Sequence, residues 1–266
     1  MRFLSIPALS IVLATASVGL LAANPAAAKE KKDEAPKLQA SSAFAKVAQP
    51  VQKLIEAKDY AGAQAKLAEA EAAATKPDDK FFLGNFYLNI GLGTKDTAME
   101  RKGLDMMIAS GKSSPEQLAQ FEFAAGQLAI NAKDWAAART HLTAAVTAGN
   151  KTSNPDVLLA ESYFGEAYQN VENDQLNAQG KALALQGLPY LKKAIDIDAA
   201  AGTPAPASWY TRGLRMAVLA KAPDMLDWSK LALSQAPTKE NWQIVLRTLQ
   251  DNNPNMSDED AIDILR

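Results

Sequence analysis

Beyond Leu38, apolar residues recur at spacings of three and four through nearly the whole chain, and Gly and Pro gather between these runs. No convincing stretch alternates apolar and polar residues with β-branched enrichment. Spacing of three to four with abundant Ala predicts amphipathic helices, whereas alternation would predict strands. The pattern therefore predicts an all-α chain. It places helices over 43–57, 60–74, 79–91, 97–110, 115–131, 134–148, 155–171, 180–197, 206–220, 223–235, 239–250 and 257–265. A Ser-x-x-Asp pattern from Ser257 to Asp260 predicts a capped start for the last of these. Ile262, Ile264 and Leu265 suit that helix to cover the end of a stack.

The first residues break the pattern. Arg2 is followed by an almost wholly apolar run from Phe3 to Leu21, and small residues end in Ala26-Ala27-Ala28. That layout predicts a secretory signal peptide over 1–28. A permanent membrane helix is the rival reading, but Pro7 interrupts the run and a cleavage site follows at once. Residues 29–40, opening KEKKDEAPK, read as a flexible charged tether. Residues 41–266 then form the repeat domain with its C-terminal capping helices. No second long apolar run exists, so no stable membrane span is expected after cleavage. The expected location is the periplasm or the exterior.

Cleavage leaves 238 residues (266 minus 28) and a formal charge of −3 (27 basic minus 30 acidic). So weak a net charge gives no long-range attraction for nucleic acid or acidic lipid. The chain has no Cys, which removes disulfides and thiolate metal sites.

The helices fall into repeated segments. Around Gly126 stand Ala125, Trp135, Ala138, Leu142 and Ala145. Around Gly213 stand Trp209, Met216, Met225, Ser229, Ala232 and Pro237. Two further segments lengthen the connection, by about 7 and 10 residues: Leu83-Gly84 with Tyr87 leads to Gly103, Met107 and Ser110, and Phe164-Gly165 with Tyr168 leads to Gly187, Leu191 and Ala194. An opening segment keeps Tyr60, Ala63, Leu67 and Ala70. Over about Ser41 to Pro237 this resembles the tetratricopeptide repeat family, whose motif has Trp, Leu-Gly, Tyr, then Ala, a bulky residue, Ala and Pro at these spacings. The resemblance implies a right-handed superhelical solenoid of antiparallel helix hairpins, with the first helix of each hairpin lining the concave side. Gly or Ala lets paired helices approach closely, and Leu67, Met107, Leu142 and Leu191 are expected to fill the gaps between hairpins.

Catalytic signals are sparse. His141 is the only histidine, so a two-His metal site or His relay cannot exist, and no nucleophile elbow occurs. Gly111-Lys112-Ser113 lacks the glycine a phosphate loop needs five residues earlier, where Met106 stands, and reads as a helix stop and start. No metal or cofactor is expected.

The expected inner strip carries Phe81, Phe123 and Tyr210 three residues before the glycines. Asn85, Gln127 and Glu166 stand one residue after them, and Asn89, Asn131 and Asn170 five after. Spacings of four and eight keep these near one helical face. Amides beside aromatic rings can bond the backbone of an extended peptide whatever its side chains. Asn also closes helices, and Phe81 and Phe123 equally suit a core, so both readings stand. The function expected is a non-catalytic envelope scaffold or adaptor that binds a protein or peptide in its concave groove. The alternative is a helical solenoid that binds or processes envelope polysaccharide, with Glu166 between Tyr163 and Tyr168 as its first candidate. A self-assembling spacer is a third.

Overall fold

The computed structural model describes residues 38–173, 175–252 and 257–265. Apart from two strands of two residues each, its regular structure is helical. The order is α1 (Ser42–Glu56), α2 (Tyr60–Ala65), α3 (Leu67–Ala73), α4 (Pro77–Thr94), α5 (Thr97–Ala109), α6 (Pro115–Asn131), α7 (Trp135–Thr147) and α8 (Asn154–Ala167). Then come β1 (Val171–Glu172), β2 (Gln175–Leu176), α9 (Ala178–Ala200), α10 (Ala207–Ala220), α11 (Met225–Gln235), α12 (Lys239–Asn252) and α13 (Asp258–Leu265).

These helices pair in sequence order. α4 packs chiefly on α5, α6 on α7, α8 on α9 and α10 on α11, while α1 packs on α2 and α3. Neighbouring pairs touch through α5–α6, α7–α8 and α9–α10, and first helices also meet directly, α6 against α8 and α10 against α12. Like ends lie together. Phe81 near the start of α4 stands 6.3 Å from Phe121 near the start of α6. The buried apolar residues accordingly divide into four clusters along the array, each drawn from adjoining helices.

Small residues let the pairs close. A Cβ on Gly84 would lie 2.7 Å from the Gly103 carbonyl oxygen, and one on Gly103 would lie 2.5 Å from the Leu88 nitrogen. Leu142 is fully buried and joins Leu158 and Leu159 of the next pair. Burying such a side chain contributes about 1.5–3 kcal/mol.

The turns inside the pairs share one device. α4 ends at Lys95 (φ 60°), α6 just before Lys133 (φ 58°), α10 at Lys221 (φ 53°), and Lys58 (φ 60°) follows α1. The next N–H reaches back five residues: Asp59 to Leu54, Asp96 to Gly91, Asp134 to Ala129 and Ala222 to Ala217, all at 2.8–2.9 Å. The carboxylates of Asp59, Asp96 and Asp134 then accept from the first amides of the following helix. A Lys-Asp dipeptide thus stops one helix and starts another within two residues.

Several expectations are corrected. The helix expected over 60–74 breaks at Lys66. The helix expected over 155–171 ends at Ala167, and the longer connection after it is a small hairpin pairing Val171 with Leu176. The other long connection, near 93–98, does not exist as a loop: α4 continues to Thr94, so the extra residues lengthen the helix. The tether is docked from Leu38 onward. Leu38 packs against the Phe81 and Phe121 cluster, and the Gln39 N–H donates to Asp78. The expected signal peptide and residues 29–37 lie outside the described residues, as do the side chains of Ile264 and Leu265. Ser257 and Asp260 do cap each other's amides, at 3.1 and 3.3 Å.

Candidate functional site

The predicted strip runs over α4, α6, α8 and α10, and the structure divides it. Phe81 is buried against Phe121, Leu104 and Met107, and Tyr210 is buried in the cluster formed by α8 to α12. Neither offers an aromatic surface. Phe81 had an equally good inward alternative, since a first helix packs on its own partner and on neighbouring pairs and so has apolar positions on several sides; the burial of Tyr210 was not foreseen.

The amides behave differently from one another. Asn89 is inside α4, five residues before its end, and its Nδ2 donates to the Asn85 carbonyl at 2.8 Å and to Asn85 Oδ1 at 2.9 Å. It therefore caps nothing. Asn170 likewise donates to the Glu166 carbonyl at 3.0 Å. Asn131 is exposed as the last residue of α6, and Lys133 rather than Asn131 takes the left-handed conformation. Gln127 is half-buried, and its Oε1 is fully shielded with no hydrogen bond to a described residue. Phe123 is half-buried, one turn before Gln127.

Toward α8 and α10 the strip is closed by ion pairs absent from the sequence reading. Arg139 on α7 stands 2.7 Å from Glu166 and lies over the Tyr163 ring at 4.7 Å. Tyr163 stacks on Tyr190 of α9, with ring centres 5.7 Å apart, and burial raises its hydroxyl above the ordinary tyrosine range. Arg139 Nη1 and Glu166 Oε2 make no hydrogen bond with a described residue, so this contact is an ion pair out of hydrogen-bond alignment. Arg212 on α10 grips Glu161 on α8 with two bonds of 2.9 and 2.7 Å and lies 5.1 Å from the Tyr168 ring centre. The arginines stand a whole pair away from their partners or on the preceding helix, a relation that no local spacing reveals.

Elsewhere, Tyr87 donates to Glu71 at 2.7 Å and Lys102 donates to both Glu71 and the Tyr87 hydroxyl, the latter at 3.0 Å. His141 bonds Glu122 at 2.7 Å. Among the described residues no group of three or more His, Asp or Glu could hold a metal ion. None of their helices is long and apolar enough to cross a membrane. Two shallow surface hollows lie on second helices: one is lined by Leu188, Pro189, Lys192 and Asp196 of α9, the other by Arg101, Lys102 and Met106 of α5. Comparison with family models, with curated proteins and with solved structures gives no match.

Proposed function

We propose that the chain is a non-catalytic adaptor of the cell envelope, a superhelical solenoid of tetratricopeptide-like hairpins that holds an extended segment of a partner protein. The contact surface is the α4–α6 part of the strip: Asn85, Asn89, Phe123, Gln127 and Asn131. The observation that carries this is the row Phe123, Gln127 and Asn131, spaced by four along one face of α6 and left half-exposed or exposed. Amides in that row can bond the backbone of an extended peptide laid along α6. The order of helix pairing supports the solenoid, because each pair buries its apolar face on the next. Glu166 and Asn170 are tied within the array, so they shape the end of the groove rather than meet the partner.

Polysaccharide processing is the weaker reading. Its first candidate, Glu166, is held by Arg139, and Glu161 is held by Arg212.

A displayed-peptide library selected on the full chain tests the proposal. Enriched peptides are expected to bind wild type and to lose tenfold or more on Gln127→Leu with Asn131→Ala, about 1.4 kcal/mol, while thermal melting stays within a few degrees. Peptides that bind the double variant as well as wild type would move the site off α6.

A further inference from the structure

On α4 and α6 the repeat glycine faces the second helix of its own pair. A Cβ on Gly84 would lie 2.7 Å from the Gly103 carbonyl oxygen of α5, and one on Gly126 would lie 2.7 Å from the Leu142 side chain of α7. Asn85 and Asn89 stand one and five residues after Gly84, and Gln127 and Asn131 stand one and five after Gly126. Equal offsets put the two rows at the same rotation about their helices, whose starts meet at Phe81 and Phe121. α8 is turned differently. A Cβ on Gly165 would lie 2.5 Å from the Trp135 ring of α7, so Glu166, the next residue, meets Arg139 instead of extending the rows. The wall is therefore two helices wide.

This wall carries no charge. From Phe81 to Thr94 and from Phe123 to Asn131 no acidic or basic side chain occurs. The charges lie beyond its ends: Asp78, Asp79, Lys80 and Glu116 where the helices start, and Lys95, Asp96, Lys133 and Asp134 where they finish, so each end holds both signs. Glu122, one residue before the α6 row, is buried and bonded to His141. At the α8 flank Arg139 and Glu166 cancel each other.

Spacing adds a second constraint. Four residues of helix rise about 6 Å, and two residues of extended chain advance about 6.6–6.8 Å. A segment laid along α6 therefore sets alternate side chains against Phe123, Gln127 and Asn131 in turn, drifting by only about 1–2 Å over the row, and turns the others to solvent. A charged side chain on the inward side would lose water and gain no counter-ion, whereas the same charge one residue along stays hydrated.

We infer, resting on the groove reading above, that the partner's segment is selected by the absence of charge at alternate positions. Three inward side chains, two residues apart, are uncharged, and the two between them are unrestricted. Rejection of charge, more than attraction to any one side chain, sets the choice of partner.

Selection of a displayed random-peptide library on the full chain tests it. Among peptides that lose binding on Gln127→Leu with Asn131→Ala, Asp, Glu, Lys and Arg should be depleted at three positions two apart and stay near input frequency between them. A capped synthetic copy of one such peptide should bind roughly tenfold more weakly with either Lys or Asp at the middle inward position, and nearly unchanged with the same residue beside it. Its affinity should be nearly the same at low and high salt. Asn131→Asp, an isosteric change at an exposed position, should admit Lys at one end of the inward set. Peptides that depend on Gln127 and Asn131 yet carry charge at the inward positions, or show no period of two, would overturn the inference and leave the groove standing. Peptides indifferent to both substitutions would remove the groove, and the inference with it.

Discussion

Ser41 and Asp79 join the starts of two helices that are 38 residues apart in sequence. The Ser41 N–H donates to Asp79 Oδ1 at 2.7 Å, and its hydroxyl donates to Oδ2 at 2.9 Å while accepting from the Phe44 N–H at 3.3 Å. Asp79 Oδ2 also accepts from the Lys76 N–H at 3.2 Å. One fully buried carboxylate thus satisfies the entrance of α4 and pins the residue that caps α1.

Asp79→Ala should therefore lower stability by about 2–3 kcal/mol, because it strands buried donors in two helix starts. Urea unfolding measures the loss, and faster hydrogen exchange over 38–45 would trace it to α1. An unchanged midpoint would mean that water replaces the carboxylate freely.

Lys133→Gly should do the reverse. Relief of the left-handed backbone, less the entropy glycine adds to the unfolded chain, predicts a gain of about 0.5–1 kcal/mol and a higher melting temperature. A lower melting temperature would show that the lysine side chain stabilises its turn.

Leu142→Asp should unfold the middle of the array. The position is fully buried between α7 and α8, and an unpaired carboxylate there has no partner to neutralise it. Helical circular dichroism should fall sharply at room temperature, and a variant that melts like wild type would refute the packing.

The acid limb of stability follows from three carboxylates. Glu71 is held below its usual 4.5 by Lys102 and Tyr87. Asp78 is held below 3.8 by the Gln39 amide and Lys112, and Asp134 below 3.8 by the Ala137 amide and Arg101. Groups lowered by folding stabilise above their unfolded values, and that contribution is lost as pH falls through the folded ones. Glu100 runs the other way: burial, then Asp96, raises it above 4.5, so its contribution is present below that value and lost as pH rises through the raised one. Urea midpoints should fall below about pH 4.5. Glu100→Gln should raise the midpoint at pH 7 and leave it nearly unchanged at pH 3; equal gains at both would deny the burial effect.

Helix positions were legible because their ends are written in local chemistry. Asp134 before Trp135 and Ser114 before Pro115 cap α7 and α6 whatever the rest of the chain does. What failed was non-local or non-standard. The left-handed closures fell on lysine, where composition directs attention to glycine and asparagine. Phe81 and Phe123 hold equivalent positions, yet one is buried and the other half-buried, because their surroundings differ in the next pair along. Arg139 and Arg212 reach acids on other helices, so their pairing depends on how the pairs stack.

Because its buried residues form four successive clusters rather than one, the protein has no single keystone. Pulled from its two ends, it should yield cluster by cluster, with α8 to α12 giving way together, in a series of force peaks rather than one large rupture. Each cluster could then re-form while its neighbours still held.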